Sequence, residues 1–190
     1  LATEGCQSYL VGCADSGAAV VIDPVLAQVD HILALAARHG LRIRYLIDTH
    51  THADHFSASR QLAQQHQVPV VMHRRSPATH VDMRVDDGDM LVVGKLRLQM
   101  LYTPGHTSDS MCVVMADRIF TGDTLLIGAT GRTDLPSGDP EQLHDSLFNK
   151  LLNLDHGLRI YPAHDYKGHT CSTLEEEKRS NPRLQKSNRE

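Results

Sequence analysis

The sequence predicts an α+β chain in which two packed sheets carry helices on their outer faces. Three observations predict it. Apolar stretches of strand length outnumber the helical periodicities. They alternate with helices in an order that reads ββαβαβ and then, loosely, again. The 190 residues, 41% hydrophobic and 22% charged, suit one domain with a substantial core.

The elements follow in order. Residues 9–11 and 18–22 read as strands joined by the turn Ala14-Asp15-Ser16-Gly17, and Asp23-Pro24 ends the second. Residues 29–38 place Val29, Ile32, Leu33, Leu35 and Ala36 at helical spacing, with Gly40 as the stop. Residues 44–48 form a short apolar strand. Ser57 caps a helix running to about His66, with Leu62 on its buried face. A strand returns over 68–72. Residues 81–85, 90–93 and 96–101 read as antiparallel hairpins, separated by Asp86-Asp87-Gly88-Asp89 and Gly94-Lys95. Residues 111–115 and 119–120 make another pair around Asp117-Arg118. The Gly-rich stretch from Asp123 to Asp139 shows no periodicity. Pro140 opens a helix with Leu143, Leu147 and Leu151 on one face. Residues 158–161 are a last strand. Thr173 begins a helix whose first turn holds Glu175, Glu176 and Glu177, where carboxylates favour the helix dipole.

The composition narrows the function classes. A formal net charge of −4, without a Lys/Arg stripe or aromatic stacking set, argues against nucleic-acid binding. No apolar run approaches the ~18–20 residues that span a bilayer, so no membrane association is expected. Residues 1–5 show no basic or apolar leader pattern, so no secretory leader is expected. The 4 cysteines form no C-x-x-C pair and fit no disulfide scaffold, which suggests free thiols in a reducing cytoplasm.

Thirteen histidines are many for a chain of this size, and several of them are grouped. Thr49-His50-Thr51-His52-Ala53-Asp54-His55 places three imidazoles and a carboxylate on one loop directly after an apolar strand. Crowding such groups is costly in desolvation unless a cation sits among them. Three later residues stand in the same relation to strand ends: His106 in Pro104-Gly105-His106-Thr107, Asp123 in Thr121-Gly122-Asp123, and His164 in Tyr161-Pro162-Ala163-His164. A lone loop His or Asp is ordinarily solvated. Four groups leaving strand ends together indicate one metal site.

H-x-H-x-D-H followed by P-G-H-T, G-D and a final His resembles the metallo-β-lactamase superfamily over nearly the whole chain. That resemblance implies a four-layer αββα sandwich over residues 1–190. It also implies His50, His52 and His106 at one metal position, Asp54, His55 and His164 at a second, and Asp123 between them. The C-terminal third is similar to the persulfide dioxygenases, through Thr121-Gly-Asp-Thr-Leu-Leu-Ile127, Gly131-Arg132-Thr133-Asp134, Tyr161-Pro-Ala-His-Asp-Tyr-Lys-Gly168 and Asn181-Pro182-Arg183-Leu184. Where that family has Cys before Gly-Arg-Thr-Asp, this chain has Thr130.

The closer resemblance implies one Fe(II) per chain on His50, His106 and Asp123, a two-His-one-carboxylate face with open positions. His52, Asp54, His55 and His164 then orient those ligands. Asp48 is a further candidate for that part, or else a strand-end cap. The implied reaction takes glutathione persulfide, or a similar thiol persulfide, with O2 and water to glutathione and sulfite. Glutathione is anionic, so Arg132, Tyr166 and Lys167 are candidate substrate contacts, and the alternative for Arg132 is a salt bridge to Asp134. Relatives of this kind are often dimers, which makes a homodimer a further expectation. The rival enzyme is a dinuclear zinc hydrolase of the glyoxalase II kind, since all seven ligands are present. The short stretch after His164 and the Gly-Arg-Thr-Asp run speak against it. A metal-bound regulatory module is the non-enzymatic alternative.

Overall fold

A computed structural model describes residues 5–169 and 171–186. The leader reading of residues 1–4 lies outside them. The fold is the expected α+β sandwich, a layer of helices, two sheets, and a second layer of helices.

The first sheet has the order β1-β2-β3-β4-β5, formed by Tyr9–Gly12, Ala18–Ile22, Arg42–Ile47, Val70–His73 and Met83–Val85. Only β1 and β2 pair antiparallel; the other three pairings are parallel. Parallel neighbours need crossovers, and α1 (Val29–Arg38) and α2 (Ser59–His66) supply two of them. Central strands of such a layer are covered on both faces, so β4 is buried at every residue.

The second sheet has the order β13-β12-β9-β8-β7-β6. In chain order its strands are β6 (Met90–Val93), β7 (Leu96–Tyr102), β8 (Met111–Val114), β9 (Arg118–Gly122), β12 (Arg159–Pro162) and β13 (Ser172–Thr173). A small hairpin, β10 (Leu125–Leu126) with β11 (Ala129–Thr130), interrupts the stretch after Asp123 that showed no periodicity. Edge strand β6 alternates, with Leu91 and Val93 inward and Met90 and Val92 exposed.

Three apolar clusters fill the spaces between the layers. Val20, Ile22, Ile47, Val71, Leu98, Met100 and Phe120 pack between the sheets. Val21, Leu46 and Val70 point the other way, onto Ile32 and Ala36 of α1 and Leu62 of α2. Ile119 and Ile160 meet Leu143, Leu147 and Leu151 on the far side, with Leu174 of α4 (Leu174–Ser180). The cap of α4 is a reciprocal pair: the Glu176 N–H donates to Thr173 Oγ1, and the Thr173 N–H donates to Glu176 Oε2. Such a box is worth about 1 kcal/mol.

Several expectations change. Residues 83–85 do not form a hairpin with residues 90–93. They pair with β4 instead, and the polar turn at 86–89 carries the chain from one sheet to the other. The second helix begins at Ser59, whose N–H donates to Ser57 Oγ at 3.0 Å while the Ser57 hydroxyl donates to Asp48. The segment opened by Pro140 is not one α-helix. The turn α3 (Pro140–Asp145) widens to a π turn at Ser146–Lys150 and tightens to a 3-10 turn at Leu151–Asn153, yet all three leucines still face inward. Among the described residues no helix is long and apolar enough to cross a membrane.

Candidate metal centre

The site lies where strands of both sheets end. His50, His52, Asp54 and His55 follow β3. His106, Asp123 and His164 follow β7, β9 and β12. Backbone bonds fasten these exits to one another: the Met111 N–H donates to the Thr49 carbonyl at 2.9 Å, and the Ala163 N–H to the Gly122 carbonyl at 2.9 Å. Side chains add a clamp. The Thr51 and Thr107 hydroxyls donate to the two oxygens of buried Asp109, at 2.6 and 2.7 Å. Gly122 sits at φ +52, and an added Cβ there would lie 2.6 Å from Thr49 Oγ1. Only glycine brings β9 this close to the histidine loop.

One atom each from His50, His106 and Asp123 lies within 4.8 Å of the other two. His106 Nε2 is 3.4 Å and His50 Nε2 3.9 Å from Asp123 Oδ2. The ring orientations follow from their outer partners. The Arg132 carbonyl, 2.8 Å from His106 Nδ1, can only accept, so Nδ1 carries the proton and Nε2 keeps its lone pair. The Thr49 hydroxyl donates to the Asp23 carboxylate and therefore accepts from His50 Nδ1 at 3.0 Å. Two lone pairs and a carboxylate oxygen thus face one another. Burial, and then the neighbouring imidazoles, push the His50 pKa well below its ordinary value, which keeps this ligand neutral.

His52 turns elsewhere. Its Nε2 meets Asp23 Oδ1 at 3.2 Å, and it groups with Asp23 and Asp48. Burial opposes its charge, but the bond to Asp23 and the charges of Asp23 and Asp48 outweigh it, raising its pKa to about 9. Asp48 accepts from the hydroxyls of Ser57 and Ser59. It anchors the end of the histidine loop, and burial raises its pKa to about 6.

Asp54, His55 and His164 form a third group, together with Cys6. His164 bonds Asp123 Oδ1 through Nδ1 at 2.7 Å and Asp54 Oδ2 through Nε2 at 2.8 Å. Burial opposes the charge of His164, but the two carboxylates prevail and raise its pKa. Burial also opposes the charge on Asp54, yet its bonds from His55 and His164 lower its pKa to about 2. Four buried imidazole nitrogens have no partner among the described residues, and two of them, His52 Nδ1 and His55 Nε2, belong to this set, the others being His73 Nε2 and His144 Nε2. Orphaned imidazole nitrogens at a converging His/Asp set are what a bound cation satisfies, so these residues fit a metal.

The candidate substrate contacts are spread out. The Arg132 guanidinium forks onto Asp134 at 2.6 and 2.7 Å, and both side chains are about two-thirds exposed. The alternative reading of Arg132 therefore describes its partner here. Tyr166 stacks on His164 with ring centroids 5.8 Å apart, and Lys167 is exposed. A cavity of about 600 Å³ is lined among others by Gly131, Arg132, Leu143, Phe148, Arg183 and Lys186, and none of the candidate metal ligands lines it.

Sequence reasoning missed Cys6, Asp23 and Asp109. Asp23 carried the same signal as the ligands, a carboxylate directly after a strand. Cys6 carried none, because only the tertiary fold brings it to His164.

A model of the metallo-beta-lactamase superfamily matches residues 2–164. The persulfide dioxygenase ETHE1 of Homo sapiens, a mitochondrial protein, is 40% identical over 179 residues, covering 93% of this chain and 70% of that one. The crystal structure of ETHE1 from Myxococcus xanthus superposes with a TM-score of 0.95 at 44% identity, covering 98% of this chain and 82% of that one. A hydroxyacylglutathione hydrolase of Anaeromyxobacter dehalogenans is 34% identical over 163 residues, covering 85% of this chain and 63% of that one. The chain therefore belongs to the metallo-beta-lactamase superfamily and is similar, within it, to the persulfide dioxygenases.

Proposed function

We propose that this chain is an Fe(II)-dependent persulfide dioxygenase, one iron per chain, that converts glutathione persulfide, O2 and water to glutathione and sulfite. The observation that carries the reading is the separation of ligands. His50, His106 and Asp123 converge, while His52 is held by Asp23 and the remaining groups gather around His164. Two imidazoles and one carboxylate leave open positions for a sulfur ligand and dioxygen. Iron held there would supply the oxygen chemistry. The chain's own residues orient and bind. Thr49 and the Arg132 carbonyl fix the two imidazoles, and His164 fixes Asp123. The cavity lining holds Arg132, Arg183 and Lys186 beside the acids Asp134 and Glu141, and its unpaired cations suit a substrate with carboxylates. Free thiols at all four cysteines fit a reducing compartment, the cytoplasm in our reading.

A second reading, the dinuclear zinc hydrolase, is favoured by the group around Asp54, His55 and His164 and by the hydrolase relative. Metal analysis and O2 uptake on one anaerobic preparation separate the two. About one iron per chain, with O2 consumed when glutathione persulfide is added, supports the dioxygenase. Two zincs and hydrolysis of S-lactoylglutathione without O2 uptake would overturn it.

A further inference from the structure

We propose that Asp109 is a positioning residue: by holding the chain neighbours of His50 and His106 on one carboxylate, it fixes the separation of these two imidazoles. The inference rests on His50, His106 and Asp123 as the metal ligands, and not on the reaction the metal performs.

The two imidazoles leave different sheets. His50 follows β3 of the first, and His106 follows β7 of the second. Thr51 stands directly after His50, and Thr107 directly after His106. The Thr51 hydroxyl donates to Asp109 Oδ2 at 2.6 Å, and the Thr107 hydroxyl to Asp109 Oδ1 at 2.7 Å. Such lengths belong to hydroxyls on a charged acceptor. One planar group therefore ties both ligand-bearing loops, and the His50 and His106 rings meet edge to face with centroids 5.0 Å apart.

The loop that carries Asp109 is closed on itself. The Thr103 N–H donates to the Ser110 carbonyl at 3.0 Å, and the Gly105 and Ser110 N–H groups donate to the Thr107 carbonyl at 3.1 and 3.3 Å. The Thr107 N–H donates to Ser110 Oγ at 3.1 Å. From the same segment the Met111 N–H reaches the Thr49 carbonyl. His50 is thus gripped through the residue before it and the residue after it.

Asp109 is 1% exposed, and two hydroxyls are its hydrogen-bond donors among the described residues. A buried carboxylate held by hydroxyls alone contributes little to folding, because its desolvation is only partly offset. What it supplies is placement, and a ligand set must be held to within ~0.5 Å. The two arms act in series. Cutting either one disconnects the loops, so cutting the second adds nothing.

The experiment is a cobalt(II) titration of the metal-free full chain, up to one cobalt per chain. It reads the visible ligand-field bands and the dissociation constant, and the bands followed are those lost in His50→Ala. Thr51→Val, Thr107→Val and Asp109→Ala should each shift these bands and weaken this cobalt at least about tenfold. The double valine variant should be no weaker than the single ones. The valines are close in shape to threonine, so they carry the test if Asp109→Ala does not fold. Wild-type bands and affinity in the variants overturn the inference, since a merely structural residue would lower only the melting temperature. Losses that multiply to about a hundredfold in the double variant also overturn it, because the hydroxyls would then be independent contacts. Bands that all survive His50→Ala refute the ligand assignment and the inference with it. Cobalt is read without O2, so a chain that consumes no O2 with glutathione persulfide overturns the dioxygenase reading alone.

Discussion

His106 is held by the backbone of Arg132, not by its charge: the Arg132 carbonyl accepts a hydrogen bond from His106 Nδ1–H at 2.8 Å while the guanidinium points out to Asp134. Orientation of the ligand and recognition of substrate are therefore separable in one residue. Arg132→Ala should leave metal content and kcat near wild type and raise KM for glutathione persulfide by about 10-fold, the worth of one charge-assisted pair. Asp134→Asn frees the guanidinium and should lower KM. Steady-state O2 uptake measures both, and unchanged KM in the two variants removes the pair from substrate binding.

Gly131 gives the opposite pattern. An added Cβ would collide with the Asp123 carbonyl and stand 3.0 Å from His106 Nδ1. Gly131→Ala should destabilise the metal-free protein by on the order of 2–4 kcal/mol and lower metal content together with turnover. Thermal unfolding and metal analysis of the same sample check it.

Asp123→Ala should abolish metal at the His50–His106–Asp123 group and turnover together, because the only carboxylate of that group is lost. His164→Ala should retain metal there and lose about 10–100-fold in activity, since it removes the bond that orients Asp123. Loss of all metal in His164→Ala would argue for a shared dinuclear centre.

Burial raises the pKa of Asp48 from 3.8 to about 6, so the folded chain binds this proton more tightly than the unfolded one. Stability from this group is full below pH 4 and is lost as pH rises through 6, on the order of 3 kcal/mol in all. Asp48→Asn should therefore gain on the wild type between pH 5 and pH 7.5 in melts of the metal-free protein. A difference in melting temperature that stays flat over this range removes Asp48 as the cause.

Much of this was readable because chemistry and strand boundaries coincide. His50, which opens the histidine loop, and His106, Asp123 and His164 all stand one to four residues past the end of a strand, and the structure brings these exits to one edge. The triplet Leu143, Leu147 and Leu151 gave a buried face correctly. What failed depended on distant partners. Residues 83–85 and 90–93 look like a hairpin locally, but β4 offers β5 a parallel edge that no local pattern records. Cys6 lies 158 positions from His164, and only the antiparallel bridge between them makes its sulfur relevant.

The ligands straddle the sandwich: His50 leaves the first sheet, and His106 and Asp123 leave the second. A cation gripped by both acts as a rivet between two layers otherwise joined at this edge by loop bonds and the Asp109 clamp. Sliding one layer over the other would have to tear out metal bonds before the apolar filling could open. Loading should therefore slow unfolding under mechanical or protease challenge, a toughness set by how firmly the ion is held rather than by the amount of surface buried.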